Sequence, residues 1–282
     1  METIIGLGQA GCNIAEKFMQ YSEYQVYRID SKKRSGKKFK LLPLQESHED
    51  YEKKCPSFKR FFANITGESL FVVAGGGKIT GATLRILQQL NSKSVNILYI
   101  RPDISLLSEI KRKRERLVFH VLQQYTRSAL FKKMYVVDNK RLQDILENVP
   151  VVGFYDKLNE LVVSTIHMLN YCNNTDAEFD TFSDSLDTAR ISTFGMCNVE
   201  TGEEELFYDL QKPRERLYYY LINQDKLEAE TGLLGDITSQ VREKSDEHVR
   251  SYFGIYSADY DDDYACTVAN SSMIQDEFFI DV

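Results

Sequence analysis

The sequence predicts an α/β fold: a doubly wound parallel-sheet domain, joined by a long central helix to a smaller α+β domain. Three observations carry this. Strand-like and helix-like segments alternate through residues 1–172. Leu70–Ala74 is apolar without alternation, the pattern of a parallel strand covered on both faces. Two glycine-rich turns, Gly6–Gly11 and Gly75–Gly81, each follow a strand and open a helix, where open parallel sheets place their ligands.

In chain order, Ile4-Ile5 lies in a short apolar strand, and Gln9–Gln20 reads as a helix with Ile14, Phe18 and Tyr21 at helical spacing. Tyr24–Ile29 is a second strand ending at Asp30, followed by a polar, basic loop over Lys32–Leu42. His48–Ile65 has helical character interrupted at Pro56. After Leu70–Ala74 and its glycine turn, Ala82–Leu90 is a helix, Val95–Ile100 a strand, Ser105–Tyr125 a long helix and Lys133–Val137 a fifth strand. Val151–Tyr171 is a second long helix and the natural hinge. Beyond Asn173 the pattern changes to strand Arg190–Met196, helix Gly202–Gln211, strand Leu217–Ile222 and helix Ile237–His248. Tyr252–Ala258 and Ala265–Asn270 then read as a hairpin about the acidic turn Asp259–Asp263, with a tail over Gln275–Val282. The expected domains are 1–172, 173–274 and an acidic tail at 275–282.

Composition narrows the class. The 282 residues are enough for two modest cores. No apolar run approaches a membrane span, and the first residues show no basic region or cleavage site of a secretory signal. Five cysteines without a CxxC pair argue against a disulfide framework or zinc site and fit a reducing cytoplasm. The net charge of −7 offers no general attraction to nucleic acid. Charge is uneven, however. Lys32–Lys40 and Lys111–Arg116 are basic, whereas Asp259–Val282 holds seven acids and no Lys or Arg. Oppositely charged ends suit association between neighbours, although each stretch alone reads equally well as a solvated face.

Gly6, Gly8 and Gly11 have the spacing G-x-G-x-x-G. Glycine lets the backbone turn sharply and approach phosphate oxygens, and the helix that follows offers free N–H groups and the positive end of its dipole. This is a nucleotide phosphate site without an assigned nucleotide. Asp30 lies about twenty residues on, where a dinucleotide fold places its ribose-binding acid, so an NAD-dependent oxidoreductase competes. Gly75-Gly76-Gly77 repeats the phosphate cradle on another strand, which a dinucleotide fold does not need. It is not a Walker loop, because Ile79 stands where Ser or Thr is required. Close helix–sheet packing explains one such glycine more readily than three in a row.

Together these segments resemble the tubulin/FtsZ superfamily. Ile5–Asn13 is similar to its first glycine loop, and Phe71–Ala82 to its GGGTG[ST]G signature, with Lys78 and Ile79 in place of Thr and Gly. Val137–Ile145 resembles the guanine-contacting segment. Tyr155 and Asn159, four apart on the long helix, match the base-stacking aromatic and second guanine-contacting Asn. By themselves they read as a core tyrosine and a surface asparagine. Asn174–Asp180 resembles the catalytic loop NxDxx[DE], with Phe179 at the last acidic position, so Glu178 or Asp180 supplies the second acid. Tyr252–Ile255 and Ala265–Ala269 resemble the C-terminal hairpin. The compact length and acidic tail look most like the bacteriophage tubulin-like proteins.

The resemblance implies a GTPase that polymerises head-to-tail with GTP/GDP and Mg²⁺ sandwiched between subunits in the cytoplasm, the host's if phage-encoded. The phosphates would lie on Gly8, Gln9, Ala10, Gly11, Cys12 and Asn13 and on Gly75, Gly76, Gly77, Lys78, Ile79, Thr80 and Gly81. Asn139, Asn159 and Tyr155 would read the base, and Glu109 the ribose, with Arg112 or Lys113 nearby. Asp176 and Asp180, or Glu178, would orient the attacking water from the next subunit; no side chain is assigned to the metal. No GAGGN-like loop precedes Leu70, and Lys78 is expected to supply positive charge in its place. The tail would dock on a neighbouring copy, on a basic stretch such as Lys111–Arg116. Nucleic acid would be reached only through an adaptor. A non-hydrolysing filament or adaptor protein remains a further alternative.

Overall fold

A computed structural model describes residues 1–90, 92, 94–259 and 262–275. The chain divides into two compact units, Met1–Val163 and Ser164–Val282, the boundary falling inside the long central helix.

The first unit is built on six parallel strands: β1 (Thr3–Leu7), β2 (Gln25–Asp30), β3 (Phe39–Leu41), β4 (Glu68–Ala74), β5 (Ser94–Arg101) and β6 (Met134–Asp138). Their order is β3-β2-β1-β4-β5-β6, so β1 lies between β2 and β4, with Ile5 opposite both Tyr27 and Phe71. Ile4, Ile5, Leu70–Val73 and Ile97–Tyr99 are buried, as continuous apolar strands require when both faces are covered. The helices are α1 (Gly8–Lys17), α2 (His48–Lys53), α3 (Thr83–Leu87), α4 (Glu109–Arg127), α5 (Asn139–Leu146) and α6 (Phe154–Cys172), which carries the chain into the second unit. Helix α1 sits very close to the sheet. A Cβ on Gly6 would collide with the carbonyl of Gly11, and one on Gly11 would stand 2.5 Å from the carbonyl of Val72.

Three expectations in this unit change. The basic loop contains strand β3, which forms because Arg28 and Asp30 of β2 offer it free backbone positions. The helix expected over His48–Ile65 stops at Lys53, and turns and the packed Phe58, Phe61 and Phe62 follow. The helix expected over Ala82–Leu90 begins as a 3-10 turn at Lys78–Ala82 and ends at Leu87.

The second unit holds strands β7 (Phe179–Asp180), β8 (Ile191–Cys197), β9 (Glu204–Leu206), β10 (Glu215–Asn223), β11 (Arg250–Ala258) and β12 (Tyr264–Ser271), with helices α7 (Gln224–Ala229) and α8 (Leu233–Glu243). Their order is β8-β12-β10-β11-β7, with β9 on β8. Tyr218, Tyr220, Ile222, Phe253 and Ile255 pack against Ile237 and Val241 of α8. The expected helix Gly202–Gln211 is instead strand β9, held by Glu204, which bonds Tyr218, Arg216 and Lys244. The expected hairpin is not one. β10 lies between β11, to which it is parallel, and β12, to which it is antiparallel. Parallel pairing needs a crossover, which α7 and α8 provide. Asp263 then pins the return to the end of β10, accepting from Asn223 N–H (3.0 Å) and Lys226 Nζ (2.6 Å).

Gln275, expected to begin the tail, is buried and accepts a 2.7 Å hydrogen bond from the Gln211 N–H. Residues 276–282 of the expected tail lie outside the described residues. Among the described residues no helix is long and apolar enough to cross a membrane.

The close seat of α1 makes a sharp prediction. Gly11→Ala should lower unfolding free energy by about 1–3 kcal/mol through overpacking. Gly235→Ala, inside α8 with nothing near its would-be Cβ, should raise it by about 0.5–1 kcal/mol. Urea denaturation of both variants checks the contrast, and equal stabilities would contradict this packing.

Candidate nucleotide-binding site

Helix α1 starts directly from β1, and Gly8 makes the turn with φ +71°. Its N-cap, Leu7, has no side chain to bond the first-turn N–H groups, which are left for a ligand. Gln9 and Ala10 are exposed, whereas Gly11 and Cys12 are buried. The Cys12 thiol turns inward, donating to the carbonyls of Gly6 (3.5 Å) and Ile29 (3.4 Å), and burial pushes its pKa up to about 12. Cys12 therefore offers a ligand its backbone rather than its sulfur.

The second loop is held from behind. Gly76 turns with φ +81°, and its carbonyl accepts a 2.9 Å hydrogen bond from Arg114 Nη1 on α4. A peptide plane directs its C=O and N–H oppositely, so this bond aims the Gly77 N–H away from α4. The Gly77 carbonyl accepts from the Thr80 hydroxyl at 2.7 Å, which commits that buried side chain to closing the turn. Gly75 and Gly81 are packing positions: a Cβ on Gly75 would strike Tyr99 and Glu115, and one on Gly81 the carbonyl of His48. Glu115 is fully buried, accepts from the Tyr99 hydroxyl (3.2 Å) and lies 3.6 Å from Arg101 Nε. Gly77 is exposed and uncrowded, its nearest neighbour 3.8 Å from a would-be Cβ.

The two loops meet in one cleft of about 650 Å³, bounded by Gln9, Asp30–Lys32, Leu44–Glu46, Tyr51 and Gly77–Ile79. Asp30 is committed: one oxygen accepts from the Ser31 and Lys32 N–H groups (2.7 and 3.4 Å) and the other from Arg34 Nε (3.0 Å). Arg34 reaches back to the Gln9 carbonyl (3.1 Å), Asn13 Oδ1 (2.9 Å) and Glu16 (3.1 Å). Burial opposes its charge, but bonding to Asp30 and the nearby Glu16 outweigh that and push its pKa up. Arg28 adds a 2.6 Å bond to Glu16 and a 2.8 Å bond to the Ser35 carbonyl, so the basic loop is buckled onto α1.

Asn139 opens α5 after the N-cap Asp138, which accepts from the Lys140 N–H at 2.7 Å. Lys17 on α1 pairs with Asp156 (2.9 Å) and Glu160 (3.1 Å), bringing the first turns of α6 against α1. Tyr155 and Asn159 share that stretch at helical spacing. Tyr155 is 61% exposed, with its ring edge-on to Phe154. Glu109 is exposed at the start of α4 and bonded to Lys113, which lowers its pKa. These four residues lie outside the lining of the cleft.

In the second unit Asp176, Glu178 and Asp180 are exposed. The Glu178 N–H donates to the Ile255 carbonyl (2.8 Å), and β7 pairs with β11. Phe179 packs on Phe253, so strand alternation puts Glu178 and Asp180 together on the opposite face. Asp180 accepts from the Phe182 N–H at 3.1 Å.

No family model matches this sequence, and no curated protein matches it. Solved structures do match. A GTPγS-form protofilament of TubZ from Bacillus thuringiensis serovar israelensis has a TM-score of 0.73 at 17% identity, over 96% of this chain and 86% of that one. CetZ from Methanosaeta thermophila has a TM-score of 0.69 at 13% identity, over 96% and 86%. An FtsZ dimer from M. jannaschii has 0.66 at 12% identity, over 95% and 87%. The chain has the tubulin/FtsZ fold.

Within this tubulin/FtsZ fold the residues fit a phosphate ligand: Gln9 of the first glycine loop and Gly77–Ile79 of the second border one cleft, and Gly77 leaves room for close approach. Among the described residues no group of three or more His, Cys, Asp or Glu is placed to hold a metal ion. Three participants escaped the sequence reading as site residues: Arg34 and Lys32 stand in one basic run and Arg114 in the other, and neither run is a nucleotide motif. The loop Leu44–Glu46, which also lines the cleft, has no glycine motif to announce it.

His48 supplies a pH test of this packing. Burial, then the nearby Arg114, lowers its pKa below the ordinary 6.5, and its Nε2 is buried without a partner. The folded state thus favours the neutral ring. The stabilisation is complete above pH 6.5 and is lost as pH falls below it, because the unfolded chain takes up the proton first. Urea midpoints should therefore fall between about pH 7.5 and pH 5.5, and His48→Gln should flatten that slope. An unchanged slope would place the acid sensitivity elsewhere.

Proposed function

We propose that this chain binds GTP in the cleft between Gly8–Asn13 and Gly75–Gly81 and assembles head-to-tail into filaments that hydrolyse it. The observation that carries this reading is the convergence of two backbone phosphate cradles, from β1 and β4, on one cleft of a tubulin/FtsZ fold. Solved structures similar to this chain include TubZ protofilaments and two- and four-stranded TubZ filament models. A repeating contact that does not close on itself generates a filament.

On this reading the phosphates lie on the backbone of both loops, and Asn139, Asn159 and Tyr155 recognise guanine. Mg²⁺, when bound, neutralises phosphate charge and is carried mainly by the phosphates and water. Asp176 and Asp180, with Glu178 beside them, orient the attacking water from the neighbouring subunit; a positioned carboxylate of this kind contributes about 10²–10⁴-fold. The domains act as the sequence divides them: residues 1–172 hold the nucleotide, residues 173–274 bring the catalytic acids, and the acidic tail docks on a neighbour in a reducing cytoplasm. Gln275 gives that tail a fixed point of departure. Oxidoreductase chemistry is disfavoured because Arg34 and two N–H groups occupy the carboxylate of Asp30 that a ribose would need.

Hydrolysis per subunit should rise with protein concentration, because half the site comes from the next copy; a flat rate contradicts assembly dependence. Asp180→Ala should cut the rate by at least about tenfold while filaments persist in electron micrographs. Deleting Asp276–Val282 should weaken assembly, and unchanged light scattering would rule out tail docking. Thermal shifts with GTP and NAD separate the two nucleotide classes: stabilisation by NAD alone would overturn the reading.

A further inference from the structure

The cleft has two cations that the sequence motifs do not explain together. Lys32 follows β2 and Lys78 follows β4, and both border the cleft. β1 lies between those strands, so their ends are about two strand spacings, or roughly 10 Å, apart. The phosphate-facing start of α1 rises between them. Lys17, Lys113 and Lys140 each hold a carboxylate. Among the described residues neither Lys32 nor Lys78 has an ion-pair partner.

The backbone carrying Lys32 is also held in place. The Ser31 and Lys32 N–H groups bond Asp30, and Arg34 ties the same carboxylate to the Gln9 carbonyl. Lys78 is the first residue of the 3-10 turn closed by Thr80 and Gly77. Two flexible ammonium groups thus flank the cleft from rigid bases. Of the two carboxylates that line it, Asp30 is neutralised by Arg34, leaving Glu46 as the opposing charge. A diphosphate is served by the backbone of the glycine loops. A third phosphate adds charge and acceptor oxygens at one end, which is what a pair of unpaired lysines recognises.

We propose that Lys32 and Lys78 form a clamp that selects the triphosphate over the diphosphate, so that the β2–β3 loop rather than a glycine-rich loop distinguishes the nucleotide states. This rests on the reading of the cleft as a guanine-nucleotide site.

The test is the affinity of fluorescent GTPγS and fluorescent GDP for wild type, Lys32→Gln, Lys78→Gln, the double variant and the control Lys33→Gln, in low and high salt. Both lysines are exposed, and circular dichroism checks that the variants are folded. Each clamp substitution should weaken GTPγS binding about tenfold and GDP binding less than about twofold, the loss shrinking in high salt. Lys33→Gln should change neither. Equal losses for both nucleotides, or no loss for GTPγS, overturn the clamp while leaving the nucleotide site standing. Wild type binding neither nucleotide overturns the site reading, and the clamp with it.

Discussion

The constraint on which the cleft depends is the close approach of α1 to the sheet. Gly6 meets the Gly11 carbonyl, and Gly11 meets the Val72 carbonyl, at distances no side chain would tolerate. That approach makes the first turn of α1 emerge directly above β1, between the ends of β2 and β4. Everything that borders the cleft is positioned relative to that turn. The second glycine loop leaves β4 on one side, and the basic loop leaves β2 on the other. The two glycine motifs therefore divide their labour. Gly8 and Gly76 make the turns, Gly6, Gly11, Gly75 and Gly81 permit packing, and Gly77 leaves the opening.

Loops that must present N–H groups outward need their carbonyls held inward, and the molecule does this with charge. Arg114 takes the Gly76 carbonyl, while Arg34 takes the Gln9 carbonyl. Both arginines come from elements that the motifs do not include. Burying such groups is costly unless they are fully bonded. Arg34 is paired with Asp30 and Glu16, and Glu115 accepts from Tyr99 and lies beside Arg101. In the second unit Glu215 is fully buried and accepts from the Leu186 N–H and the Asn270 side-chain amide.

Much of the first unit was legible because its strands are continuous apolar runs ended by glycine or Asp. Strand β3 was not, since Phe39-Lys40-Leu41 sits in a basic run and owes its form to pairing with β2. Strand β9 read as a helix because Gly202–Gln211 is acidic and carries only scattered apolar residues. What makes it a strand is Glu204 reaching Arg216, Tyr218 and Lys244 from far along the chain. The last two strands looked like a hairpin because a short acidic turn joins them, yet β10 lies between them. Local pattern specifies a strand's existence, whereas its partner is chosen by long-range packing.

By itself the sequence determined the α/β architecture, the two phosphate turns and the order of segments resembling the tubulin/FtsZ superfamily, because glycine spacing and apolar periodicity are local properties. Only the tertiary structure decided that Cys12 points inward, that Thr80 is committed to Gly77, and that Asp30 is taken by Arg34. It also decided that Lys32 and Lys78 stand on either side of one cleft. Those facts depend on which strand ends are neighbours, and neighbouring strands in a doubly wound sheet come from distant parts of the chain.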